Sequence, residues 1–130
     1  MDWNECIKKR IAKSVKEDLN LIKSAKEIAS IKIQSADSLL DGFYIGKVTL
    51  LYDALREYLE CLAIKNGYKI YNHECYTAFL REILGLSKEA DIFDRLRKTR
   101  NSINYYGKML TKEEADEVIK NLKFLIKRFE

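Results

Sequence analysis

A chain of 130 residues with 47% apolar and 34% charged side chains, five glycines and no proline has the length and composition of one folded domain covering 1–130, which excludes a disordered chain. Its 24 basic and 20 acidic residues leave a net charge of +4, short of the concentrated positive face of a dedicated duplex binder. The single histidine, His73, excludes any site that needs two, and the three cysteines, Cys6, Cys61 and Cys75, match no metal-ligand spacing and read as reduced thiols in a cytoplasmic protein.

The missing prolines remove the usual helix breakers, while Lys, Glu, Leu and Ala lose little side-chain freedom in a helix. An all-α fold is the expectation. In the first third Ile7, Ile11, Val15, Leu19 and Ile22 recur at steps of four and three, and Ala25, Ile28 and Ala29 continue the stripe toward Leu39. That pattern predicts one long helix or two in tandem, with only a weak break at Asp18-Leu19-Asn20. Asp41-Gly42 then punctuates the chain, because glycine readily takes the left-handed conformation that ends a helix.

The next predicted helix carries Val48, Leu51, Leu55, Leu59 and Leu62 on one face and stops near Asn66-Gly67. Its other side presents Asp53, Arg56, Glu57 and Glu60, with Arg56 and Glu60 spaced to pair at i,i+4. Tyr44, Tyr52 and Tyr58 read as amphipathic residues at the core edge. A loop from Tyr68 to His73 follows, in which His73 reads as a turn-orienting residue rather than a catalytic one. A short helix with Tyr76, Phe79, Leu80 and Ile83 runs to Gly85, and another begins near Asp91. The last helix opens with Thr111-x-x-Glu114, a capping-box pattern, and carries acids at its start and Lys and Arg at its end, matching the helix dipole. No apolar run approaches the ~18 residues of a membrane span, and the acidic Met1-Asp2-Trp3-Asn4-Glu5 start is unlike a signal peptide.

The segment from Arg95 to Gly107 carries the chemistry. On a helical wheel with Ile92 at zero, Arg100 falls at about 80°, between Leu96 at about 40° and Phe93 at about 100°. A guanidinium inside an apolar arc cannot shed its charge, so it needs a carboxylate, a phosphate or a pocket. Asp53 and Glu57 are the candidate internal partners, and a tie from either would fix bundle register. The alternative is a phosphate or RNA site made of Arg97, Arg100, Asn104, Tyr105 and Tyr106, in which the rings stack on bases.

The helix order, the Tyr52-Asp53-Ala54-Leu55-Arg56-Glu57 run, the Gly67-to-His73 turn and the Arg100-Asn101-x-x-x-Tyr105-Tyr106 helix end resemble HEPN domains, a superfamily of prokaryotic nucleotide-binding and ribonuclease bundles. The resemblance implies an up-and-down antiparallel bundle of four to five main helices that homodimerises and requires no cofactor. Many members are metal-independent ribonucleases or toxins paired with a minimal nucleotidyltransferase, so it also implies a possible partner of that kind. Active members carry a histidine after an arginine with four to six residues between them. Here Tyr105, Tyr106 and Gly107 stand at those places after Arg100, and Ser102, Ile103 and Asn104 after Arg97. Neutral tyrosine and asparagine are poor proton acceptors beside imidazole. The expectation is therefore a domain that binds a nucleotide, RNA or a protein partner, with no catalytic residue assigned; a divergent endoribonuclease using Arg100 with a tyrosine or with His73, and a purely structural interaction subunit, are the alternatives.

Overall fold

The computed structural model describes residues 1–130 as an all-α helical bundle with one small two-stranded sheet. In chain order the elements are α1 (Trp3–Lys8), β1 (Ala12–Ser14), α2 (Leu19–Ser38), α3 (Tyr44–Lys65), β2 (Tyr68–Ile70), α4 (His73–Ala78), a turn of π-helix continuing α4 (Phe79–Ile83), α5 (Ser87–Tyr106) and α6 (Lys112–Phe129).

Helix α3 is the hub. Leu51, Tyr52, Ala54, Leu55, Leu59 and Ala63 are all at most 1% exposed, a spread too wide for one helix face. A helix apolar nearly all round must be covered on several sides, and α2, α5, α6 and β2 do so. Each leucine buried this way contributes roughly 2 kcal/mol. Helix α6 lays Ala115, Leu122, Leu125 and Ile126 on the hub. Its start is set locally: the Thr111 hydroxyl accepts from the Glu114 amide at 3.2 Å and the Glu114 carboxylate accepts from the Thr111 amide at 3.2 Å, the two halves of a capping box. Arg56 reaches Glu60 at 3.4 Å, as their spacing predicts. No helix is long and apolar enough to cross a membrane.

The first third departs from the predicted stripe. Helix α1 ends at Lys8, the chain turns with Arg10 at φ 58°, and residues 12–14 are a strand, not helix. Strand β1 runs antiparallel to β2, Ala12 opposite Ile70, with flanking bonds from Tyr71 N to Ile11 O and from Val15 N to Gly67 O, each 2.8 Å. The predicted loop from Tyr68 to His73 is thus half strand. Ile7, Ile11 and Val15 lie four apart and mimic a helical stripe, but the backbone of Ile11 to Val15 finds its hydrogen-bond partners across the chain instead of along it. Helix α2 starts where Asp18 caps it, accepting from the Leu21 amide at 3.0 Å.

The cysteines also need correcting. Cys6 on α1 and Cys75 on α4, both fully buried, form a disulfide across a sequence separation of 69 with their Cα atoms 6.0 Å apart; only Cys61 is a free thiol. An odd count with uneven spacing concealed a pair that folding alone brings together.

Candidate functional site

A cleft of about 340 Å³ opens between the start of α4 and the middle of α5. One wall is Tyr71, Asn72, His73 and Glu74; the other is Arg97, Arg100, Asn101 and Tyr105. Helical spacing explains the second wall, since 97, 100, 101 and 105 recur at three and four and share a face. Asn72 builds the first: its side chain accepts from the Cys75 amide at 2.9 Å, capping α4 and leaving His73 as the first helical residue.

The two arginines differ in electrostatic state. Arg97 gives Nε and Nη2 to Asp94 Oδ1 at 3.1 and 2.8 Å, and Asp94 also takes Lys98 at 3.1 Å and the Thr77 hydroxyl at 3.3 Å. Burial by itself would raise the Asp94 carboxyl, but hydrogen bonds from Arg97 and Lys98 outweigh it and hold the group below its ordinary value. Arg97 is therefore spoken for. Arg100 forms no ion pair: Glu57 is taken by Lys32 at 3.5 Å and Arg56 at 3.4 Å, and Asp53 bonds to neither arginine. Arg100 instead lies over the Tyr52 ring, 5.4 Å from its centroid, with its Nε buried and without a hydrogen-bond partner.

Beneath the cleft sits a neutral pair. Tyr52 Oη and His73 Nδ1 are 2.8 Å apart, with the Tyr52 ring stacked on Phe93 at 5.9 Å. Burial, reinforced by the positive charges of Arg56 and Arg100, lowers His73 to about 4, and burial pushes Tyr52 up. The Tyr52 hydroxyl has no other acceptor, so its hydrogen belongs on the bond to Nδ1, and the uncharged imidazole carries its own hydrogen on Nε2. In that form His73 donates to a ligand and accepts nothing from it.

This has a pH consequence. The folded value of about 4 lies below the ordinary 6.5, so unfolded chains take up a proton that the folded protein refuses. Stability present above 6.5 should fall as pH drops through the window between those values and level off beneath it. Denaturant melts from about pH 7 to about pH 4 are expected to show this slope in the wild type and a shallower one in His73→Gln; identical slopes would show that His73 protonates normally in the fold.

The sequence-derived site is divided by the structure. Arg97, Arg100 and Tyr105 line the cleft together, whereas Asn104 and Tyr106 do not, and Tyr106 is 83% exposed as the last residue of α5. Tyr52, Tyr71 and Asn101 belong to the site without being marked for it by the sequence, and His73, expected as a turn residue and named with Arg100 only in the ribonuclease alternative, lines the cleft as well. For Tyr52 a signal existed, because a phenol beside Leu51 and Leu55 on the hub helix must find a polar partner; for His73, 27 residues before Arg100, none did. A larger cleft, about 440 Å³, lies at the far end of α3 between Tyr58, Leu62, Leu86 and Phe129, and its lining includes Lys26, Lys65, Arg128 and Glu130. It holds no histidine and no orphaned polar atom.

Comparison with protein-family models, with curated proteins and with solved structures finds no match.

Proposed function

We propose that this helical domain binds a phosphate-bearing ligand, a nucleotide or a short RNA, in the cleft between α4 and α5, as its resemblance to HEPN domains implies. The observation that carries the reading is Arg100, a guanidinium that lines the cleft, pairs with no carboxylate and has one buried N–H unmet. The other charges on the walls are compensated: Arg97 by Asp94, and Glu74 by the Met1 ammonium at 2.9 Å. One uncompensated cation beside a neutral histidine donor suits an anion. Tyr71 and Tyr105, 61% and 71% exposed, flank the cleft as stacking surfaces for a base. The reading includes a homodimer, supported by apolar side chains left exposed on α2, Ile28 and Ile31; molecular mass in solution tests it.

Metal-independent RNA cleavage is the second reading. One observation favours it: folding brings His73 to the Arg100 cleft although the chain separates them. Its chemistry is weak, since a base must accept a proton from the 2′-hydroxyl, and an imidazole lowered to about 4 with Nδ1 engaged by Tyr52 accepts one poorly. Calorimetric titration with adenosine monophosphate, and incubation of single-stranded RNA with the protein in EDTA, separate the two readings. Binding with intact RNA is the expected result. Cleavage lost in both His73→Gln and Arg100→Ala would establish the second reading, and the absence of any binding would remove the first.

A further inference from the structure

We propose that the basic ridge running from the end of α1 through β1 holds the backbone of a single nucleic-acid strand that enters the Arg100 cleft. The inference rests on the reading of that cleft and adds a second surface to it. Between residues 8 and 16 stand Lys8, Lys9, Arg10, Lys13 and Lys16 with no acidic residue among them. All five are exposed and none is ion-paired. What sets the ridge apart is density: no other nine-residue stretch holds five unpaired cations, and several basic residues elsewhere meet acids, as in Lys69–Glu60, Arg81–Asp91 and Lys123–Asp37.

Two further observations connect the ridge to the cleft. Strand pairing places Ile11 against Tyr71, which forms part of the cleft wall, and Lys13 Nζ lies 5.3 Å above the Tyr71 ring. A base stacked on Tyr71 would therefore have a phosphate neighbour on the Lys13 side. Arg10 takes φ 58°, a left-handed conformation that disfavours a side chain, and stands in an exposed turn of three consecutive cations. A strand fits this surface better than a duplex or a membrane. The ridge is one turn and three strand residues, while its apolar neighbours Ile7 and Val15 are only 38% and 37% exposed, too little to insert into lipid.

The test uses the full chain, adenosine monophosphate as the cleft probe, and an unstructured RNA of about twelve nucleotides as the strand probe, a length within the usual site sizes of single-strand binders. The variant Lys8→Gln/Lys9→Gln/Lys16→Gln alters exposed side chains outside the cleft, and an unchanged melting curve confirms that it folds. The wild type should bind the strand at least about tenfold tighter than the mononucleotide. The variant should keep mononucleotide affinity and lose that gain, with the slope of log affinity against log salt falling by about two, from ~0.7 for each of three lost phosphate contacts. An unchanged slope with intact mononucleotide binding overturns the ridge alone. Equal binding of an RNA duplex, or of vesicles rich in anionic lipid, overturns the single-strand assignment. Failure of both probes on the wild type overturns the cleft reading and the ridge with it.

Discussion

Replacing Arg100 by methionine is expected to stabilise the protein and to weaken its ligand at the same time. The buried Nε has no partner, and an unmet buried donor costs about 1–3 kcal/mol. Methionine keeps contact with the Tyr52 face through its thioether and removes that donor, giving up a cation–π contact worth about 1 kcal/mol at a partly buried site. The net gain of about 1 kcal/mol corresponds to a rise of roughly 4 °C in melting temperature for a domain of this size. Hydrogen bonds to charged groups contribute about 1.5–3 kcal/mol, so adenosine monophosphate affinity should fall between about tenfold and 150-fold. Arg97→Met supplies the contrast. It strips Asp94 of its bidentate partner and should destabilise the fold. If Arg100→Met instead lowers the melting temperature while leaving nucleotide affinity unchanged, Arg100 is a structural residue and the cleft is not a phosphate site.

The largest effect on stability is expected from Cys75→Ala. Closing a loop across a separation of 69 residues removes about 4 kcal/mol of chain entropy from the unfolded state. Domains of this kind are stable by only about 5–15 kcal/mol in total. A drop of roughly 15 °C in melting temperature should follow, and reduction of the wild type should reproduce it. Helix α1 would then hold to the bundle by Trp3, whose ring meets Phe79 and Tyr68 and whose amide gives a 2.7 Å bond to Glu82. Three thiols titrated in denaturant without reductant, or the same melting curve with and without reductant, would show that this bond contributes nothing.

Much of the fold is legible along the chain because its causes are local. The Thr111–Glu114 box, the Asp18 cap and the glycines at 42, 67 and 107, all with positive φ, act within about one helical turn. The stripe of α3 is equally plain, since its leucines repeat at helical spacing. The β1–β2 pair is not, because three-residue strands carry too little alternation to outweigh Ile7, Ile11 and Val15 at steps of four. Its hydrogen bonds span more than fifty residues, from Val15 to Gly67 and from Ile11 to Tyr71.

The site divides along the same line. The sequence alone gathered Arg97, Arg100, Asn104, Tyr105 and Tyr106 at the end of one helix, because they are near neighbours along the chain, and the structure kept Arg97, Arg100 and Tyr105 of them at the cleft. It also showed that Arg100 falls among apolar positions and must be met by something. The tertiary structure decided what meets it: no carboxylate from α3, but the Tyr52 ring and a cleft whose far wall is His73. It decided as well that Cys6 and Cys75 join and that the Lys8–Lys16 ridge borders Tyr71. These pairings depend on how α3 orients α4 and α5 around itself, and that packing is set by side-chain fit across the core, which no single stretch of chain encodes.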